Sequence, residues 1–177
     1  MKSDFVLTFT SPDRPGVIED LTQLVVDCGG NWEESRSARL CGDFAGIARV
    51  SIEEGSIAKF EQGLEKMQTK DIVAQVRKNT PQSKQMGTTP GALICSGADH
   101  EGIVSGVASR LAAMGVNVEE METTVLAAPT TGTPLFQMQC QLTLPGNCDL
   151  EQLRSQLQVL EQDLAVEIKL LDADSTL

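Results

Sequence analysis

The sequence of 177 residues has few aromatic side chains and few basic ones. It contains five Phe, one Trp and no Tyr, which leaves little material for the aromatic platforms on which proteins stack nucleic-acid bases. Fourteen Lys and Arg stand against 25 Asp and Glu, a formal net charge of −11. Because DNA binding requires a basic surface that replaces phosphate counterions, this composition argues against direct nucleic-acid binding. It argues equally against binding to anionic membranes.

Informative cysteine patterns and long apolar runs are missing too. The five cysteines are odd in number and form no C-x-x-C pair, so neither a disulfide framework nor a zinc knuckle is indicated. We expect them to be buried free thiols, and Cys28, Cys95 and Cys140 continue predicted apolar faces. No stretch approaches the roughly 18 apolar residues of a membrane span, and the start of the chain does not resemble a signal peptide. These absences predict a cytoplasmic protein.

What the sequence does contain is an internal repeat. Asp13 and Asp99 stand 86 residues apart. The same spacing pairs further identical residues: Leu7 with Leu93, Gly16 with Gly102, Gly29 with Gly115 and Asn31 with Asn117. Between the two copies lies a polar stretch with two prolines, which is typical of a linker. We therefore predict a first module at 1–78, a linker at 79–90 and a second module at 91–177.

Each copy has the pattern of a βαββαβ module. In the first copy, alternating apolar residues predict a strand before Ser11, and helical spacing predicts a helix from Pro15 to Cys28. Strands follow from Asn31 to Leu40, around 44–52 and around 72–76, with a helix after Gly55-Ser56. The second copy repeats this order at 92–97, 102–114, 116–126, 135–144, 150–160 and 165–171, and Asp149 is expected to cap its second helix. The predicted fold class is α+β, with two ferredoxin-like modules whose antiparallel sheets carry helices on one face.

Catalytic patterns are missing from this framework. His100 is the single histidine and lacks the neighbouring nucleophile of known hydrolases, so we expect a solvated loop residue or a ligand contact. Glu33 and Glu34, like Glu119 and Glu120, are neighbours on predicted strands, where successive side chains point to opposite faces. We expect these acids to be solvated and not to converge on one atom. No enzyme activity, metal or cofactor is predicted.

One constellation fits ligand binding. The sequence Asp-Arg-Pro-Gly at 13–16 opens the first helix, and Asn31 begins the following strand. Free N–H groups in the first turn of a helix bind carboxylates, and a glycine lets a ligand approach the backbone closely. Asp13 or Asn31 could accept hydrogen bonds from an ammonium group, so the combination fits a free amino acid.

The same residues have a purely structural interpretation. Pro15 and Gly16 can shape a turn from strand to helix, Asp13 can cap that helix, and Asn31 can occupy a turn. Spacing alone leaves both interpretations open.

These motifs also resemble those of a known family. D-R-P-G at 13–16, followed by an apolar helix and Gly30-Asn31, resembles the ACT domain, a regulatory module that binds amino acids. N-W-E-E-S-R at 31–36, G-D-F-A at 42–45 and a third strand with Phe136 are similar to the glycine cleavage system transcriptional repressor family over about residues 4–172.

The resemblance implies a function and a site. It implies a small regulator, without its own DNA-binding domain, that responds to glycine or a serine-like amino acid and acts with a LysR-type activator. Ligands of the family lie between paired modules, which implies contacts from Asp13, Arg14, Pro15, Gly16 and Asn31, and in the second copy from Asp99, Gly102 and Asn117. There, His100 and Glu101 replace the Arg-Pro pair.

Two hypotheses remain. The first is an amino-acid-responsive transcriptional corepressor that acts through a protein partner. The second is a free-standing regulatory subunit that controls an enzyme of amino-acid metabolism. Edge strands of such modules favour pairing between the two halves or between chains, so a homo-oligomer is one expectation.

Overall fold

The computed structural model describes residues 1–80, 87–129 and 132–172, and the chain divides into two compact units, Met1–Gln82 and Ser83–Leu177. Part of the predicted linker, 81–86, lies outside the described residues. Thr89 and Pro90, at the end of the predicted linker, are the first two residues of the first strand of the second unit. No helix in the described part of the chain is long and apolar enough to cross a membrane.

The first unit has the predicted βαββαβ order. Its elements are β1 (Lys2–Pro12), α1 (Val17–Asp27), β2 (Asn31–Leu40), β3 (Asp43–Glu53), α2 (Ile57–Met67) and β4 (Val73–Lys78), with short 3-10 turns on both sides of α2. The four strands form one antiparallel sheet in the order β2-β3-β1-β4. After α1, the N–H of Gly30 donates to the carbonyl of Val25, which closes the helix before β2 begins.

The second unit repeats this arrangement. Its elements are β5 (Thr89–Ala98), α3 (Ile103–Ala113), β6 (Asn117–Ala127), β7 (Pro134–Leu144), α4 (Leu150–Leu164) and β8 (Val166–Asp172), and the antiparallel sheet order is β6-β7-β5-β8. The predicted cap of α4 is confirmed, because Asp149 Oδ1 accepts from the N–H of Gln152 at 3.0 Å. Two tandem ferredoxin-like modules are thus the observed fold.

Each unit has its own apolar core between its sheet and its two helices. Alternate residues of the central strand β1, among them Leu7 and Phe9, pack against Leu21 and Val25 of α1 and Phe60 of α2. The second core is built in the same way around Leu93 and Cys95 of β5. The outer strands β2 and β6 are exposed along most or all of their length.

The two outer strands share an irregularity that changes where their acids point. The pairing register shifts between Trp32 and Glu34 in β2, and at the corresponding place in β6. A bulge of this kind puts an extra residue into one strand and redirects side chains. As a result, Glu33 and Glu34 approach the same atom, Arg49 Nη2, at 3.5 and 3.9 Å. The expectation that neighbouring acids diverge was therefore wrong for this pair.

The cysteines follow the prediction in part. Cys28, Cys95 and Cys140 are buried free thiols, as predicted, whereas Cys148 is half-buried and Cys41 is exposed. Cys41 occupies a left-handed position (φ 52°) in the tight turn between β2 and β3, which is why it has no core to enter. Burial raises the pKa of the Cys28 and Cys140 thiols and raises the pKa of Cys95 to about 11.

These environments predict selective thiol chemistry. Because the reactive species is the thiolate, we expect a thiol reagent to modify Cys41 quickly in the native protein, while Cys28, Cys95 and Cys140 react only on unfolding. Mass spectrometry of partially labelled protein measures this order, and Cys41→Ser should remove the fast phase. Fast labelling of the three buried thiols in the native protein would contradict the core described above.

Candidate functional site

The loop from β1 to α1 presents an open helix terminus. Gly16 has φ 91°, a left-handed conformation that glycine adopts without steric cost, and it stands immediately before Val17, the first residue of α1. Among the described residues, no side chain caps this helix, so the cap predicted for Asp13 is not formed. The N–H groups of a first helical turn have no partner within the helix. They therefore point out of α1 as donors.

These donors border a cavity of about 250 Å³. It is lined by Asp13, Arg14, Gly16, Val17, Ile18, Glu19 and Phe44. The lining combines two carboxylates, one guanidinium, a helix N-terminus and an apolar side. A cavity with donors for a carboxylate and acceptors for an ammonium group is suited to a zwitterion.

Arg14 holds the loop in place. Its Nη1 donates to the carbonyl of Pro15 at 3.1 Å, and its Nη2 donates both to the carbonyl of Lys70 at 3.1 Å and to Asp20 Oδ2 at 3.2 Å. The guanidinium thus ties the loop to the end of the 3-10 turn after α2. Arg14 borders the cavity, but its hydrogen bonds are made to the protein, so it positions the loop.

Asp20 is the acid that completes this arrangement. It lies on α1 between two cations, with Lys70 Nζ at 2.5 Å and Arg14 Nη2 at 3.2 Å. Hydrogen bonds from Lys70 and then from Arg14 lower the pKa of the Asp20 carboxyl. Its contribution to stability is present above the ordinary carboxyl pKa and is lost as the pH falls through the lowered value.

Asp13 is held from the hairpin side. Its N–H donates to the carbonyl of Gly42 at 2.8 Å, and Arg39 Nη1 lies 3.2 Å from Asp13 Oδ2. Both groups of the Asp13–Arg39 pair are partly exposed, so solvent screens their attraction. The Asp13 carboxylate is fixed at the cavity and remains accessible.

Asn31 does not join this group within its module. It lies opposite Ser51, which lies opposite Asp4 of β1. The loop follows the other end of β1, eight residues away at Pro12, which is roughly 27 Å at about 3.4 Å per residue. The expectation of Asn31 near the loop of its own module was wrong. A ligand contact from Asn31 to another module stays a prediction.

The second unit repeats the loop with different side chains. The N–H of Asp99 donates to the carbonyl of Pro134 at 3.0 Å, and Gly102 before α3 has φ 98°. The sequence places Gly106 where the first unit has Asp20. Asn117 stands at the far end of β6, and its Nδ2 donates to Glu119 Oε1 at 2.6 Å. The loop geometry is preserved, but the charged surroundings are not.

Several residues of the first site were missed in the sequence. Glu19 lines the cavity, and Arg39 and Lys70 support the loop. They were missed because they lie far apart in sequence, in α1, in β2 and at the end of the 3-10 turn after α2. Phe44 was identified as an apolar strand residue and as part of the G-D-F-A motif, but not as a residue that lines a site. The one signal in the sequence was a possible ion pair between an acid in the first turn of α1, Asp20, and a base after α2, Lys70.

Within the described ranges, no group of three or more His, Cys, Asp or Glu side chains could hold a metal ion.

Comparison with known proteins places these features in context. The family model of the ACT domain matches residues 3–77. No curated protein sequence matches the chain. A protein of unknown function from Galdieria sulphuraria has a crystal structure that is 30% identical, with a TM-score of 0.85, over 98% of this chain and 99% of that one.

Two further solved structures match all or part of the chain. A "putative glycine cleavage system transcriptional repressor" matches with a TM-score of 0.68 and 19% identity over 96% of both chains. An ACT domain protein from Streptococcus pneumoniae is 25% identical, with a TM-score of 0.42, over 50% of this chain and 98% of its own. At 19% identity, the former likeness establishes the shared fold of the two modules.

Proposed function

We propose, from the premise that this chain is a tandem ACT-domain protein, that it binds a small free amino acid and transmits that signal to a protein partner without catalysing a reaction. The observation that carries the proposal is the cavity at the start of α1, which is lined by the first residues of that uncapped helix and by two acidic residues, Asp13 and Glu19. Such a regulator of metabolism would act in the cytoplasm.

The ligand's two charges fit the two kinds of groups in the cavity. An amino-acid carboxylate would accept from the N–H groups of the first turn of α1, which lie at the positive end of the helix dipole. Its ammonium group would donate to Asp13 and Glu19, and these bonds to charged acceptors are the stronger kind. Gly16 supports this by leaving the backbone free of a Cβ at the point of approach.

The cavity favours a small effector. Much of its boundary is formed by the loop itself, and Phe44 closes one side while packing on Phe9 with ring centroids 5.7 Å apart. Glycine, or an amino acid with a side chain as short as that of serine, would place both charged groups without displacing Phe44.

The output we propose is on transcription, as a corepressor of the glycine cleavage system that works through a LysR-type activator. The fold shared with the structure described as a repressor supports a regulatory role, and the net charge of −11 favours a protein partner over DNA. Association through a partner also requires no helix-turn-helix motif. None of the described α-helices is followed directly by a second α-helix, as that motif requires.

A binding experiment tests this output. In a fluorescence-anisotropy titration with operator DNA at physiological salt, we expect the isolated chain to leave the DNA unbound, and addition of the activator to restore a response that changes with amino-acid concentration. Tight, sequence-specific binding by the chain alone would contradict the proposal. If the tagged chain captured a metabolic enzyme and no activator, the chain would regulate that enzyme and not transcription.

A further inference from the structure

Arg14 and His100 occupy the same place in the two repeats. They are 86 residues apart, the offset of the repeat. Arg14 bonds the carbonyls of Pro15 and Lys70, both at 3.1 Å. In the second unit, His100 Nδ1 lies 2.9 Å from the carbonyl oxygen of Glu101, and His100 Nε2 lies 2.7 Å from that of Leu164. Each of these basic side chains therefore joins its own loop to the end of the second helical segment of its unit, which is the 3-10 turn after α2 in the first unit and α4 in the second.

The distant acceptors are equivalent as well. Lys70 precedes Asp71, with φ 59°, and Leu164 precedes Ala165, with φ 50°. In both units the accepting carbonyl is thus the last one before a left-handed residue ends the helical segment. Such terminal carbonyls lack intrahelical donors and lie at the negative end of the helix dipole, so a positive donor is favoured at both.

The two side chains differ in one chemical property. Guanidinium keeps its protons throughout the physiological range, whereas imidazole carries two N–H groups only when protonated. A carbonyl oxygen can only accept, so both contacts of His100 are hydrogen bonds only in the imidazolium form. The neutral ring can keep one and must present a lone pair to the other carbonyl.

We propose that His100 is a proton-dependent clamp that positions the Asp99–Gly102 loop of the second module, doing in its protonated form what Arg14 does in the first module at every pH. Protonated His100 joins the loop to the end of α4. Deprotonation leaves the ring one N–H for two carbonyls, so one of the two attachments is lost, while the backbone bond from Asp99 to the hairpin carbonyl of Pro134 stays.

The charge of Asp99 favours the protonated form of the His100 ring. The loop carries Asp99 and Glu101, and the end of α4 and the start of β8 carry Glu161, Asp163 and Glu167. Among the cations of the packed elements, Lys169 of β8 pairs with Glu167 at 2.9 Å and Arg110 of α3 donates to Gln156 at 2.8 Å, and α4 also carries Arg154. Glu161 Oε1 accepts from the N–H of Ile168.

The expected direction of the pH dependence follows. The backbone hydrogen bonds to Glu101 and then to Leu164, together with the Asp99 charge, raise the pKa of His100 above its ordinary value. A group with a raised pKa contributes fully below its unfolded value, about 6.5, and its contribution is lost as the pH rises through the folded value. The clamp is thus closed in mild acid and opens as the pH rises through the raised pKa of His100.

Only the consequence for the effector rests on the proposed function. If both loops contribute to binding, affinity at the second module falls as His100 deprotonates, while affinity at the first module does not change with this group. The clamp itself exists without any ligand. Its test can therefore be made on the ligand-free chain.

The test is an NMR titration of the full chain from about pH 5.5 to about pH 9, without amino acids. His100 is the single histidine, so its imidazole signals need no assignment by mutation. The amides of Gly102 and Ala165 share peptide groups with the two accepting carbonyls. We expect the imidazole midpoint to lie above about 6.5, and both amides to shift with that same midpoint.

Two variants at this exposed position sharpen the result. In His100→Arg, the two amides should remain near their low-pH positions across the range, and in His100→Ala they should remain near their high-pH positions. An imidazole midpoint at or below the ordinary value, or amides that do not follow it, would overturn the clamp. Absence of amino-acid binding in a separate calorimetric experiment would instead refute the proposed function and leave this result intact.

Discussion

Replacing Leu7 with alanine is expected to lower the free energy of unfolding by about 2–5 kcal/mol, the range found for large-to-small changes at fully buried leucines. Leu7 lies in the middle of β1, is 0% exposed and packs in the core that also holds Leu21 and Val25. Its neighbours in the sheet, Ala48 and Val76, are fixed by strand pairing. They cannot close fully over the space that the side chain leaves.

Chemical denaturation followed by circular dichroism measures this loss. The matched control is Thr8→Ala, one residue further along the same strand on the exposed face, for which we expect a change within about 0.5 kcal/mol. Leu93→Ala, at the equivalent position of the second core, should cost as much as Leu7→Ala. A cost below about 1 kcal/mol at Leu7 would mean that the described core is wrong, since transfer of the lost methyl groups alone exceeds it.

Gly16→Ala is expected to have the largest effect on effector binding. A Cβ at Gly16 meets only Arg14 Nη1, at 3.6 Å, so space is not the obstacle. The obstacle is the φ of 91°, because an L-residue in the left-handed region costs roughly 1–2 kcal/mol. Relief of that strain turns the first N–H groups of α1 away from the cavity. Loss of one bond to a charged group, about 1.5–3 kcal/mol, weakens affinity about tenfold or more.

Gly115→Ala is the matched control, because it introduces the same kind of backbone strain at a position away from the proposed effector site. Gly115 ends α3, has φ 69°, and a Cβ there would lie 3.7 Å from Pro145 Cγ, an ordinary contact. It should carry a similar cost in stability, measured by denaturation, and leave the affinity for the effector unchanged. Equal affinities in wild type and Gly16→Ala would place the ligand away from this loop.

The sequence was informative wherever local rules determine structure. The bounds of β2, Asn31 and Leu40, were predicted as observed, because Gly29 and Gly30 end the preceding helix and a two-residue turn follows. The repeat extended each prediction to the second half. Asp149 was identified as a cap because its side chain acts within one helical turn.

The parts that could not be predicted depend on long-range geometry. Arg39 reaches Asp13 only because the hairpin register places them together, and His100 reaches Leu164 over 64 positions of sequence. The separation of Asn31 from the Asp13 loop follows from the direction of α1, which carries the chain back along the sheet. The bulge after Trp32 has no sequence signal such as glycine.

The most direct test of the account is isothermal titration calorimetry of the full chain with glycine, serine and a bulky amino acid such as tryptophan, on wild type and Gly16→Ala in parallel. We predict saturable heat with the small amino acids, none with tryptophan, and affinity reduced about tenfold or more in the variant. Absence of heat with every amino acid tested, or equal binding by the variant, would contradict an effector site at the start of α1.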